Sequence, residues 1–236
     1  MSSKQGSIQS PESQHINILE IGSWAGGSAI SWAEAIVEFN NGQGNVVCVD
    51  LWQPYFETSS LNANGGNTIY DSMNKHAESG EIFNLFTHNI TCSGYSGIVS
   101  PFRGASDNLL PLLRDSFFDI VFIDGDHRYR PATRDILNSV RLVKEGGFLC
   151  GDDLEIQIDA VDKIYALKNA NKDFICDPNT KEYYHPGVTL AVGQQIGPVS
   201  AYEGFWVARK SGNTWKNVFL TGEENRVPSH LDIPYI

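Results

Sequence analysis

The sequence predicts an α/β fold, doubly wound about a mostly parallel sheet, and three observations carry that prediction. Val46–Val49, Phe117–Ile123 and Phe148–Cys150 are short, nearly unbroken apolar runs with β-branched and aromatic weight, the pattern of strands covered on both faces. Helically spaced apolar residues separate the runs. Glycines and carboxylates gather where the runs end, and in such a sheet the carboxyl ends of the strands form the ligand-binding rim.

With 236 residues, the chain suits one domain able to bury a sizeable core. Its 41% hydrophobic and 11% aromatic content is that of a globular chain, so only the polar residues 1–13 read as a flexible tail. That tail lacks an apolar signal region, and no run approaches the roughly 18 apolar residues of a membrane span. The expected setting is therefore soluble and cytoplasmic, without a membrane partner. A formal charge of −11 disfavours nucleic acid, whose binding needs clustered Lys and Arg to displace counterions. A small-molecule partner is favoured, and a homo-oligomer stays open. Cys48, Cys92, Cys150 and Cys176 are far apart with no C-x-x-C spacing, and read as buried reduced thiols rather than zinc ligands or disulfides.

Ile16, Ile18, Leu19 and Ile21 make the first strand, which halts at Gly22, and a helical pattern begins near Ser28. A glycine turn into a helix lets backbone approach a ligand closely, and the free N–H groups of the helix's first turn favour a polar or negative partner. The spacing Glu20-x-Gly22-x-x-x-Gly26-Gly27 is wider than the G-x-G-x-x-G dinucleotide fingerprint. It resembles motif I of the class I S-adenosylmethionine (SAM) methyltransferases, where the acid and the glycines surround the methionine part of the cofactor. The resemblance implies cofactor roles for Glu20, Gly22, Ser23, Gly26 and Ser28.

Ile30, Ala33, Ile36, Val37 and Phe39 give the first helix its stripe, closed by Asn40-Asn41-Gly42. The second strand ends at Asp50 and Leu51, where an acidic side chain accepts hydrogen bonds from ribose hydroxyls in nucleotide-binding βαβ units. Residues 51–67 dissolve into Pro, Ser, Asn and Gly with scattered aromatics, which suits a lid or substrate loop. Trp52 reads equally as an adenosine contact or a core aromatic. Thr68–Asn89 reads as helix with a break at Gly80; His76 and His88 read as surface or packing residues. Ile98–Phe102 is a third strand, followed by a short helix with Pro111 in its first turn. Gly104-Ala105-Ser106 at the strand's end resembles the segment that holds the adenine in SAM-dependent catechol-type O-methyltransferases, so Ser106 and Asp107 are candidates for reading the adenine amino group or for capping that helix.

The fourth strand ends in Asp124-Gly125-Asp126-His127. A helix from Pro131 to Val140, stopped by Gly146-Gly147, leads to a fifth strand that ends in Gly151-Asp152-Asp153. Like charges at adjacent tips raise each other's energy unless a cation or substrate offsets them. Asp124, Asp152 and Asp153 on one rim would offer hard oxygens to Mg²⁺ or another divalent cation. These motifs are similar to those of the metal-dependent O-methyltransferases, most of all methyltransferase family 24, which includes macrolide-sugar O-methyltransferases. That likeness, over about Ile16–Asp153, implies a Rossmann-like sheet of seven strands, one antiparallel, with metal ligands at Asp124, Asp152 and Asp153. Where the related catechol and caffeoyl-coenzyme A enzymes carry a lysine base, this chain has His127, an imidazole able to accept a proton near neutral pH.

Beyond Asp153 the pattern is weaker. Residues 154–186 read as a partly helical lid or substrate segment with a turn at Asp177-Pro178-Asn179; Tyr183, Tyr184 and His185 lie within reach of a substrate or are placed there by chance. By resemblance a helix over Val188–Val192 and closing strands near Val199–Tyr202 and Phe205–Arg209 follow, ending a domain of residues 14–221 before an arm of 222–236. The expectation is SAM-dependent methylation of a small-molecule hydroxyl, with His127 and Asp124 catalytic. A metal-independent methyltransferase, a nicotinamide oxidoreductase and a non-catalytic binder of the same fold are the rivals.

Overall fold

In the computed structural model, which describes residues 14–54, 75–220 and 227–231, the chain builds one mixed sheet between two helical layers. Strands β1 (Ile16–Ile21), β2 (Gly44–Asp50), β3 (Val99–Arg103), β4 (Phe118–Ile123) and β5 (Val143–Leu154) run parallel in the order 3-2-1-4-5. β5 is followed in space by β9 (Gly204–Ser211), which runs antiparallel to it. The outer edge of β9 is covered in two pieces, by β8 (Ser200–Tyr202) along its first half and β10 (Thr214–Asn217) along its second. Among the described residues eight strands thus fill seven positions of this sheet, and β9 alone opposes the rest. The third piece, β10, lies beyond the two closing strands expected from sequence.

Strand alternation divides the core. Leu19 and Ile21 of β1 face a cluster with Val121, Leu149, Ile136 and Trp206, whereas Ile18 faces one with Ala33, Ile36 and Phe86. Helices α4 (Tyr129–Val140) and α6 (Pro186–Gln195) cover the first face; α1 (Gly27–Asn40) and α2 (Glu81–Cys92) cover the second. Helix α1 ends where expected, with Asn41 and Gly42 both left-handed and the Gly42 N–H bonded to the Ile36 carbonyl. Its stripe is narrower than expected: Val37 and Phe39 are exposed, because Ala29, Ile30, Ala33 and Ile36 already span the buried face. Trp52 is a core aromatic, fully buried against Phe83 and Phe86. Cys48 and Cys150 are buried free thiols as expected, but Cys92 is exposed on the last turn of α2.

Two glycine and acid segments behave differently from their sequence reading. Gly146 and Gly147 do not stop a helix. They lie inside β5, where residues 144–147 loop out between the Phe118↔Val143 and Ile120↔Phe148 pairings. Gly151-Asp152-Asp153 is not a turn after the strand but its continuation, broken by an irregularity between Gly151 and Leu154. The segment 154–186 carries α5 (Lys163–Lys168) and a two-stranded hairpin, β6 (Ile175–Cys176) with β7 (Tyr183–Tyr184). It has its own apolar cluster of Ile156, Val161, Ala166, Ile175, Tyr184 and Leu190. The tail 1–13, most of the 51–67 loop and all but 227–231 of the C-terminal arm lie outside the described residues. Among the described residues no helix is long and apolar enough to cross a membrane.

Gly151 sits where three strands close together: a Cβ there would lie 2.4 Å from the Ile123 carbonyl oxygen and 2.7 Å from Trp206 Nε1. Gly151→Ala should therefore destabilise the chain by about 1–3 kcal/mol or more, read as a lowered urea midpoint.

Candidate functional site

The site begins where β1, β2 and β4 are tied at their tips. The Gly22 N–H donates to the Val49 carbonyl at 2.9 Å and the Asp124 N–H to the Ile21 carbonyl at 2.8 Å. Gly22 is left-handed, with φ 89°, and a Cβ on it would fall 1.9 Å from the Asp124 carbonyl oxygen. Only glycine fits there. Asp50, ending β2, holds the turn from the other side: its carboxylate accepts from the Trp24 N–H at 2.8 Å and the Trp52 N–H at 2.6 Å. The Trp52 indole N–H in turn donates to the Trp24 carbonyl at 2.7 Å. Burial raises the Asp50 pKa, and these amide bonds counter part of that rise.

Above these tips lies a cleft of about 510 Å³, within the range of small-molecule sites. Gly22, Asp50, Leu51, Ser106, Asp107, Asp124 and His127, all singled out from sequence, line it. Glu20, Ser23, Gly26 and Ser28 do not. Glu20 alternates onto the face of Ile18 and is fully buried, which raises its pKa, with the Ser23, Ser28 and Cys48 side chains close enough to temper the rise. Gly26 precedes α1 at φ 89°, and a Cβ on it would meet Phe86 and Ile90. Ser106 is the first residue of a short helix, α3 (Ser106–Leu109), whose N-cap is Ala105, so it does not cap that helix. Its hydroxyl instead donates to the buried Asp135 carboxyl on α4.

Asp135 was not singled out, although its sequence position shows a signal: it falls one turn from Ala132 and Ser139, on the buried face of α4. Burial first, then the neighbouring charges of Asp107 and Asp126, push its carboxyl from 3.8 up to about 7 despite the Ser106 hydrogen bond. Asp107 is itself paired with Arg134, 2.6 Å away, and both line the cleft.

At the β4 end the acidic and imidazole groups meet. Burial, then the charges of Asp153 and Asp152, push the Asp124 carboxyl up to about 8. Asp124, Asp152 and Asp153 do not converge at ligand distance as the sequence suggested. Among the described residues the three potential ligands whose atoms lie within 4.8 Å of one another are His127, Asp153 and His185. The reason is local: Asp153 is left-handed at φ 64°, and Asp152 Oδ1 turns back to accept from the Asp153 N–H at 2.9 Å. His127 Nε2 lies 2.9 Å from Asp153 Oδ2 and its Nδ1 lies 2.9 Å from Asp173 Oδ1. Burial disfavours the charged ring, but these two carboxylates outweigh it and raise its pKa to about 11. With both ring nitrogens engaged by carboxylates, His127 as placed is not the free proton acceptor expected from sequence. Asp173 and Glu155, the outer carboxylates, gave no sequence signal, because both sit in the segment that lacks clear periodicity.

The profile of a family described as a methyltransferase domain matches residues 19–154, more than half of the chain. Among solved structures, the O-methyltransferase TomG from Streptomyces achromogenes, involved in tomaymycin synthesis and crystallised with SAM, superposes with a TM-score of 0.50. It shares 18% identity, over 84% of this chain and 74% of that one. The O-methyltransferase NovP superposes with a TM-score of 0.53 at 15% identity, over 83% of this chain and 72% of its own. At such identities the two structures show the fold. No curated protein matches the sequence.

Two predictions follow from the geometry of the cleft. Gly22→Ala should weaken S-adenosylhomocysteine binding by roughly tenfold or more in calorimetry, whereas Gly27→Ala, whose Cβ would meet nothing within 4 Å, should change it by less than about twofold. For Asp135, the folded chain holds the proton more tightly than the unfolded one, so this group's contribution to stability is full below about pH 4 and is lost as pH rises toward 7. Asp135→Asn should flatten that fall and leave the ligand-free variant more stable than the parent near pH 8, by up to roughly 4 kcal/mol in urea unfolding.

Proposed function

The chain belongs to the methyltransferase domain family whose profile spans residues 19–154, and on that premise we propose that it moves the methyl group of SAM to a hydroxyl oxygen of a small molecule, with a divalent ion at the β4–β5 tips. One observation carries the reading: a single cleft is lined by Gly22, Asp50 and Ser106 and also by Asp124 and His127. Its donor set fits the cofactor's chemistry. Asp50 keeps acceptor capacity for a ribose diol, Ser106 and Asp135 face the place of a purine edge, and Asp124 offers negative charge to the sulfonium. When bound, SAM supplies a methyl carbon made electrophilic by the adjoining positive sulfur.

The chain's part is alignment and proton handling. Gly22 lets the cofactor lie against backbone, and the tied tips of β1, β2 and β4 fix the floor, so nucleophile and methyl carbon meet in one orientation; effective molarity is the relevant scale. A divalent ion held near Asp153 would lower the pKa of an acceptor hydroxyl. With both nitrogens of His127 engaged, the cleft-lining Asp124 carboxylate takes the hydroxyl proton. Phe174 and Tyr183 stack 5.5 Å apart beside His185 and are exposed, giving a ring-bearing acceptor such as a phenol or sugar an aromatic edge to rest on.

The test is transfer of labelled methyl from SAM to a panel of phenols, sugars and polyketide alcohols, with and without EDTA. Label in the ether product, suppressed by EDTA, is expected; turnover undiminished by EDTA would remove the ion from the reading, and failure to bind S-adenosylhomocysteine would remove the cofactor. Asp124→Asn should lower kcat by roughly 10²-fold or more while changing S-adenosylhomocysteine affinity only a few-fold.

A further inference from the structure

Resting on the reading of a divalent ion at the strand tips, we propose that His127, Asp153 and His185 form the ion's site, and that the set selects a transition ion such as Mn²⁺, Fe²⁺, Co²⁺ or Zn²⁺ over Mg²⁺. The three side chains come from three separately anchored places: the loop after β4, the irregular end of β5, and the residue preceding α6. Their ligand atoms nonetheless lie within 4.8 Å of one another, and the two rings meet edge to face with centroids 4.6 Å apart. The side chains are 11–23% exposed, open enough for an ion to enter and enclosed enough to strengthen its hold.

Close backbone approach brings the two histidines together. Gly187, in the first turn of α6, presses on the loop after β4: a Cβ there would lie 2.2 Å from the His127 carbonyl oxygen and 2.4 Å from the Tyr129 nitrogen. His185, two residues earlier, is thereby delivered to His127. An outer carboxylate orients the His127 ring, as carboxylates do for metal-bound imidazoles generally. Asp173 takes the far nitrogen of His127, leaving Nε2 directed at Asp153. Glu155 accepts from the His185 N–H at 3.1 Å and lies 2.9 Å from its Nδ1, which is also 3.6 Å from Asp153 Oδ1.

The chemistry of the set decides the ion. Mg²⁺ takes oxygen ligands in a strict octahedron, whereas two imidazoles and one carboxylate suit first-row transition ions and leave coordination positions open. His127 also lines the cleft, so an ion held there would border the space where an acceptor hydroxyl would enter. In this arrangement His127 is a ligand, which accounts for a histidine whose nitrogens are both directed at carboxylates.

The experiment strips the full chain with chelator and titrates it with Mn²⁺ and with Mg²⁺, read by calorimetry and by pulsed EPR of the bound Mn²⁺. One Mn²⁺ per chain, held roughly tenfold or more tighter than Mg²⁺ and coupled to imidazole ¹⁴N, is expected. His127→Gln and His185→Gln should each weaken Mn²⁺ roughly tenfold or more and remove one nitrogen coupling; Asp173→Asn, which leaves the ligands in place, should weaken it by about tenfold, and Asp152→Asn by less than about threefold. Equal Mg²⁺ and Mn²⁺ affinity, bound Mn²⁺ without nitrogen coupling, an unaffected His185→Gln variant, or no Mn²⁺ uptake would overturn the proposal. S-adenosylhomocysteine titration of the stripped chain keeps the two readings apart: its failure with Mn²⁺ uptake intact sinks the cofactor and spares the metal site, and the reverse pattern does the opposite. The same titration on His185→Gln, whose side chain lies off the cleft, reports whether that variant is folded.

Discussion

The contact on which the site depends is the approach of Gly22 to the carbonyl of Asp124. Two strand tips meet there with no side chain between them, and the Asp124 N–H closes the junction by bonding to the Ile21 carbonyl. The floor of the cleft and the wall that carries Asp124, Gly125, Asp126 and His127 are therefore one rigid piece. A cofactor laid on the glycine turn and a substrate presented at the β4 tip inherit their relative position from this junction, which is what alignment-driven transfer needs.

Around the junction the chain concentrates negative charge at a cost. Burial raises Asp50, with amide donors countering part of the rise, and Asp124 and Asp135 are driven up to about 8 and about 7 by burial and by neighbouring carboxylates. Such groups destabilise the ligand-free fold near neutral pH, and a cationic or hydrogen-bonding guest offsets them. The proposed sulfonium-bearing cofactor and divalent ion would each offset part of this charge.

The segment after β5 completes the arrangement. It is held down by its own apolar cluster, by the Asp177 carboxylate, which gathers the N–H groups of Asp162, Asn179 and Thr180, and by the contact of Gly187 with the loop after β4. Through these anchors a part of the chain remote from the glycine turn brings Asp173 and His185 up to His127, with the exposed Phe174–Tyr183 pair beside His185.

Local pattern was enough to determine the five parallel strands, the glycine turn, the αL end of α1 and the acids at the strand tips, because each rests on residue spacing and on conformations few residue types tolerate. The cleft-lining roles of Gly22, Asp50, Leu51, Ser106, Asp107, Asp124 and His127 could be read in the same way, since a parallel sheet puts its carboxyl ends on one rim. Which carboxylates converge was decided only in three dimensions. An irregularity in β5 and a left-handed Asp153 turn one acid toward two histidines and its neighbour away from them, and Asp173, Glu155 and His185 arrive from a segment without periodicity. Side-chain direction at an irregular strand end and contacts between distant segments depend on packing, and spacing along the chain does not encode them.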